Sequence, residues 1–293
     1  MKLTYPVPDV KQVRVIIDTD TACEADDPFA IAHALMSPKL RVQAVIAEHF
    51  AQEGSMHRSY EAIQRLAAAM ALAPRVLLGE EWPLDETRAP SEGVSFIIEE
   101  ARREDSHPLY VLCLGALSNI ARALALAPDI AGRLTIVSIG GRNYDNTPDG
   151  FHEFNFGNDV DAANAVLTSE APLWQIPVCS YGSIRTGLAE LQRKVAPCGA
   201  PGKHLYEQMV AYNQTPGAGW TPGESWSLGD SPAVAVVLMP SCGQQRQVRV
   251  RHVNADTSYS DLPDGRFITV YESVDSRYIL EDFFAKLALC YGE

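Results

Sequence analysis

Residues 13–35 read VRVIIDTDTACEADDPFAIAHAL, and this stretch decides the fold. VRVII (13–17) reads as a buried strand. From Asp26 to Ser37 the apolar residues Phe29, Ile31, Ala32 and Leu35 recur at helical spacing. Between strand and helix stand Asp18, Asp20, Asp26 and Asp27. In open α/β sheets, ligands bind outside the carboxyl ends of strands. Alternate strand residues share a face, so Asp18 and Asp20 can point the same way. Capping of the helix by Asp26 or Asp27 accounts for one or two of these aspartates, but not for the pair at a buried strand end. Four carboxylates this close repel one another unless a cation sits among them. Carboxylate oxygens suit a hard ion, calcium or magnesium.

Outward from this segment, short apolar runs alternate with amphipathic ones. RVQAVIA (41–47) reads as a strand, and Ser55 to Ala73 as a long helix. VLLG, LYVLCL and LTIVSIG follow as strands, with Ser91–Asp105 and Leu117–Leu126 helical between them. LWQIPV (173–178) continues the series. Alternation of this kind implies a mostly parallel open sheet with crossover helices, a Rossmann-like α/β fold. Strands buried on both faces read as continuous apolar runs, as these do. Later, residues 186–195 and 203–212 read as helical, and 213–229, rich in Gly, Pro and Trp, as a loop. Ser231 to Met239 is helical, QVRVRHV and RFITVY pair as late strands, and 275–289 closes as a helix. With no internal repeat and no linker, residues 1–293 are expected to form one domain.

The bulk properties narrow the function. The formal net charge of −13 disfavours a nucleic-acid partner. Six cysteines show no CxxC pair and no zinc-ligand spacing, and read as reduced thiols in a cytoplasmic protein. The N-terminal MKLTYPVPDVKQ lacks the apolar core of a signal peptide. No run approaches the ~18 apolar residues of a membrane span.

DTDTACEADD resembles the DTDPGxDD signature of the nucleoside hydrolase family, with the Pro-Gly turn replaced and the loop two residues longer. Further segments resemble the family in the same order. LCLGALSNIARAL (112–124) is similar to its LGPLTNIA segment. SIGGRNYDNTPDGFHEFNFGNDVDAANAVL (138–167) is similar to its GG turn followed by EFN and DPEAA. WSLGDSPAVAVVL (226–238) is similar to its last metal motif. The resemblance implies hydrolysis of the N-glycosidic bond of a ribonucleoside, with calcium (or magnesium) as cofactor. It implies metal ligation by Asp20, Asp27, Asp230 and the Leu114 carbonyl, with Asp18 supporting the site. Asp20 would be the general base for water. Asp26, Glu153 and Asn155 would hold ribose hydroxyls, with Asn146 or Thr147 as a further contact. AEHFAQEG (47–54) places Gln52 near a family Asn that contacts ribose or the attacking water. A homodimer or homotetramer is the assembly the resemblance implies.

One departure stands out. The family commonly carries a His immediately before the last aspartate, as proposed acid for the leaving base. This chain has Gly229. Either another group protonates the leaving base, with His49, His57 and His152 as candidates by proximity to motifs, or a better leaving group is cut. Trp220, Trp226 and Tyr212 flank the Gly-rich loop and could stack on a base. A nucleoside- or ribose-binding homologue that lost turnover is the non-enzyme alternative. A haloacid-dehalogenase-type phosphatase fits less well, because Ala22 stands where that family wants Thr or Val.

Overall fold

The computed structural model describes residues 3–145 and 150–292. Asn146 and Thr147 lie outside the described residues. The first half runs β1 (Val13–Thr19), α1 (Asp27–Leu35), β2 (Leu40–Ala47), α2 (Ser55–Ala69), β3 (Val76–Leu78), α3 (Glu92–Arg102), β4 (Leu109–Cys113), α4 (Ser118–Leu126) and β5 (Thr135–Ile139). It continues through α5 (Phe154–Asn158), α6 (Val160–Thr168) and β6 (Leu173–Ile176). The second half runs α7 (Val178–Tyr181), β7 (Arg185–Gly187), α8 (Leu188–Lys194), α9 (Gly199–Tyr212), β8 (Ser225–Ser227) and α10 (Ser231–Leu238). It ends with β9 (Gly243–Arg249), β10 (His252–Val253), β11 (Tyr259–Ser260), β12 (Phe267–Val274) and α11 (Ser276–Tyr291).

Eight strands make one sheet in the order β3-β2-β1-β4-β5-β6-β12-β9. All neighbours are parallel except β12 and β9. This is the mostly parallel, single-domain α/β architecture the alternation predicts. The strand order reverses at β1, between β2 and β4. At such a switch point adjacent crossovers leave on opposite faces and open a crevice at the strand ends.

Every residue of β1 is buried. Val15 and Ile17 join the core on one face with Phe29 of α1, Val234 of α10 and Phe283 of α11. Ile16 joins the other face with Val94 of α3, Ile120 of α4 and Val166 of α6. The strand is therefore sandwiched, which is why, apart from Arg14 paired with Glu100, it carries no polar residue until its last two. Phe29 meets Phe283 with ring centroids 5.6 Å apart, which helps fix α1 against the sheet.

The second half departs from its sequence reading in detail. Thr186 and Gly187, read as the start of a helix, belong instead to β7, because they pair with β8 from inside the stretch read as loop. The late strand pair is β9 with β12. His252–Val253 leaves it to pair with β11, since the β9–β12 ladder ends at Arg249. The two short helices α5 and α7, at four to five residues, are too brief to show a period in sequence. All six cysteines are free thiols. No helix among the described residues is long and apolar enough to cross a membrane.

Candidate active site

Four carboxylates meet at the switch point. Asp20 follows β1 directly, and a Cβ on Gly115, just past β4, would come 2.7 Å from its Cγ, so only glycine lets the two strand ends approach. Asp26 occupies the N-cap position of α1 and Asp230 that of α10. An N-cap aspartate ordinarily accepts an N–H from its own helix. Neither of these makes a side-chain cap bond. Each helix instead carries a proline in its first turn, Pro28 and Pro232, which removes a donor the cap would otherwise satisfy. The freed carboxylates converge. One oxygen each from Asp26, Asp27 and Asp230 lie within 4.8 Å of one another.

Electrostatics leave this cluster two states. Burial pushes the carboxyls of Asp20, Asp26 and Asp230 well above the ordinary range, and repulsion from Asp27 and from one another adds to it. Asp27 is raised by burial and partly relieved by the Thr19 hydroxyl, which donates to its Oδ1 at 2.5 Å. Two N-terminal helix dipoles point at the group and offset part of the repulsion. Either protons or a cation must do the rest. The donors fit a hard divalent ion: calcium–oxygen distances of ~2.3–2.6 Å put ligands across one ion at up to roughly 5 Å. Asp20 Oδ2 is also buried without any hydrogen-bond partner.

Around the carboxylates opens a cleft with about 440 Å³ of empty space, mouth included. Leu114 and Ile139, at the ends of β4 and β5, form part of its wall, as do Cys23 and Glu24 of the long loop. Glu153, Phe154 and Asn155 enter it from the start of α5, Tyr181 from α7, and Gly229 from the turn before α10. Glu153 caps α5: its Oε1 accepts from the Asn155 N–H at 3.3 Å and its Oε2 from the Phe156 N–H at 2.9 Å. The Tyr181 hydroxyl donates to the same Oε1 at 3.1 Å. Burial nevertheless raises the Glu153 carboxyl. Asn155 Nδ2 donates to the Leu114 carbonyl at 2.7 Å and to the Ile139 carbonyl at 3.0 Å. That uses one of the two lone pairs on Leu114 and leaves the other. The double-glycine turn that delivers this segment is sterically required. Gly141 has φ +87°, and a Cβ there would meet Gln175 Nε2 at 2.2 Å.

The structure thus brings Asp20, Asp26, Asp27, Leu114, Glu153, Asn155 and Asp230 into one cleft. Asp18 stands behind it. Its Oδ1 accepts from Asn119 Nδ2 at 2.8 Å, while Glu48 Oε1 accepts from the Asn119 N–H at 3.4 Å, so one asparagine ties the two carboxyls together. Burial pushes Asp18 up to about 7, and burial together with repulsion from Asp18 and Asp20 pushes Glu48 well above the carboxylate range. Gln52 does not reach the cleft. It is exposed and accepts from Arg58 Nη2 at 3.2 Å, because the chain turns outward after β2. The candidate acids also stay away. His49 is fully buried against Ser118, His57 is exposed on α2, and His152 covers Gly157. Trp226 is buried beneath Tyr212 and Trp220, with which it makes edge contacts, and none of the three lines the cleft.

Sequence reasoning missed Glu24, Glu48, Phe154 and Tyr181. Glu48 had one available signal: as the residue following β2, it lies beside Asp18 at the same strand-end level. Tyr181 sits on a helix of four residues and had none.

The model of the family described as inosine-uridine preferring nucleoside hydrolase matches residues 15–277. The chain belongs to this family. Its reaction is accordingly hydrolysis of a nucleoside N-glycosidic bond. Among solved structures, an inosine-guanosine nucleoside hydrolase superposes with a TM-score of 0.75 at 20% identity, over 94% of this chain and 99% of that one. A purine-preferring ribonucleoside hydrolase from Gardnerella vaginalis gives 0.75 at 21% identity, over 95% and 99%. The type III effector protein XopQ, complexed with adenosine diphosphate ribose, gives 0.71 at 14%, over 97% and 94%. At these identities the superpositions show a shared fold. No curated protein matches by sequence.

Proposed function

We propose that this nucleoside hydrolase cuts its substrate in the β1–α1–α10 cleft, with a divalent cation, calcium by preference, held by Asp20, Asp27, Asp230 and the Leu114 carbonyl, and with an Asp26 oxygen gathered beside them. The observation that carries this reading is the pair of N-cap aspartates that do not cap, leaving their oxygens gathered within 4.8 Å with Asp27. A bound divalent cation supplies charge neutralisation here and makes water more acidic.

The chain's own groups do the remainder. Asp20 Oδ2, buried and unpartnered, is the free base that takes a proton from the attacking water. Glu153 and Asn155 stand where sugar hydroxyls would be gripped. Both are pinned to backbone, so substrate meets side chains already in place. The wall of Leu114, Ile139 and Phe154 shields one side of the sugar from water. The free cysteines support a reducing compartment, and a homo-oligomer is the assembly we expect.

The test is a panel of purine and pyrimidine nucleosides with calcium, following free base and reducing sugar, before and after chelation. Release that stops on chelation and returns with calcium supports the reading. Turnover indifferent to chelator removes the cation from it. Tight binding of nucleosides without any release leaves a binding protein in place of an enzyme.

A further inference from the structure

Every charged side chain lining the cleft is acidic: Asp20, Glu24, Asp26, Asp27, Glu153 and Asp230. Among the described residues no Lys, Arg or His lines it, and residues 146–149, NTPD by sequence, contain none. One divalent cation offsets two of those six groups, and among the described residues no basic side chain lines the cleft to offset the other four. The residue before Asp230, where the resemblance implies an acid for the leaving base, is Gly229. A Cβ on Gly229 would come 3.3 Å from both Asp26 Oδ2 and the Tyr181 ring, so Tyr181 occupies the room a larger side chain would need. The Tyr181 hydroxyl is itself committed to Glu153. Two aromatic rings, Phe154 and Tyr181, line this carboxyl-rich space, and Phe154 is 42% exposed.

Resting on the hydrolase reading, we propose that the substrate carries a positively charged aglycone, of the N-ribosylpyridinium class. A neutral purine or pyrimidine leaves as an anion unless it is protonated, and that protonation is worth ~10²–10⁴-fold in rate. A pyridinium needs no proton. The C1′–N bond breaks with its electron pair going to the ring nitrogen, and the ring departs neutral. The water oxygen bonds to C1′, and its proton passes to Asp20 and then to solvent. Riboside cation plus water gives ribose, neutral pyridine and one proton. The same positive charge is drawn into a carboxylate-lined cleft and stacks on aromatic faces.

The experiment uses the full chain with calcium and four compounds: N-ribosylnicotinamide, its neutral 1,4-dihydro form, inosine and uridine. Released base and ribose are followed by chromatography. We expect kcat/KM for the cation to exceed that for inosine and uridine by at least roughly 100-fold, the size of the missing acid. Charge is read separately from leaving-group quality. The dihydro form, tested as a competitor, should bind at least tenfold more weakly than the cation, and KM for the cation should rise with salt. Phe154→Leu should lower the preference for the cation over inosine several-fold. Equal cleavage of inosine or uridine, or equal binding of the neutral dihydro form, overturns the charged-aglycone proposal and leaves the hydrolase reading standing. Release from none of the four overturns both.

Discussion

The two ends of the cleft are built differently. The acidic floor is made of residues tied to long elements: Asp20 to β1, Asp27 to α1, Leu114 to β4, Asp230 to α10. The aglycone wall is made of Phe154 on a five-residue helix, Tyr181 on a four-residue helix and Glu24 on a loop. The floor is fixed by sheet topology, because the strand order must reverse beside β1 and the crevice must open there. The wall is fixed by single side-chain contacts such as Tyr181 with Glu153. Chemistry common to a fold belongs on the first kind of scaffold, and substrate choice on the second.

The largest effects should follow from breaking the floor. Asp20→Ala removes the base and should lower kcat by about 10³-fold or more. It also removes one buried repelling charge, so the calcium-free Tm should hold or rise while activity is lost. A parallel fall in Tm would mean that Asp20 acts as a structural residue. Asp230→Ala takes one of three gathered oxygens and should weaken calcium binding by calorimetry about 100-fold. Calcium at 100 times its Kd should stabilise the native chain by about 2.7 kcal/mol through mass action, and the variant by far less. Unchanged calcium affinity in Asp230→Ala would place the ion elsewhere.

Changes to the wall should be smaller and should appear in KM. Glu153→Gln turns one acceptor oxygen into a donor that must face either the Phe156 N–H or the Tyr181 hydroxyl. About 1–3 kcal/mol follows, or roughly 5- to 150-fold in kcat/KM. Tyr181→Phe removes one donor to the same carboxylate and should cost about 1 kcal/mol, near fivefold, mostly in KM. A Tyr181→Phe variant as damaged as Asp20→Ala would erase the distinction between floor and wall and make the phenol a reacting group.

The same division governs what was legible in the sequence. Asp18, Asp20, Asp26 and Asp27 were readable because a buried apolar strand cannot end in aspartates without a partner for them. Asp230 was readable by its place before a helix opening with Ser-Pro. That these aspartates forgo capping was not readable, since N-cap preference predicts the opposite and only the approach of α1 to α10 overrides it. Gln52 is expected near the sugar or the attacking water from the resemblance of AEHFAQEG to a family segment. The segment turns outward through Ala51, at φ +54°, and carries it to solvent. Tyr181 depends on a contact with Glu153, 28 residues away in sequence, which no local pattern records.

The smallest kinetic effect is expected at His49, which the sequence placed near the site and the structure assigns to the scaffold behind the floor. Its Nδ1 accepts from the Ala51 N–H at 3.1 Å, which fixes the proton on Nε2 and directs it to Ser118 Oγ at 2.7 Å. Ser118 in turn donates to Asp159 Oδ2 at 2.5 Å. Burial lowers the ring's pKa from 6.5 to about 4. A depressed folded pKa means the contribution is fully present above about 6.5 and is lost as pH falls from there towards about 4. At about 1.4 kcal/mol per unit this amounts to roughly 3 kcal/mol. His49→Asn should therefore flatten the loss of urea stability between pH 6.5 and 4.5 while keeping kcat/KM at pH 7.5 within about twofold. A variant that loses turnover but keeps the acid slope would put His49 back among the reacting groups and move the leaving-group acid to the end of β2.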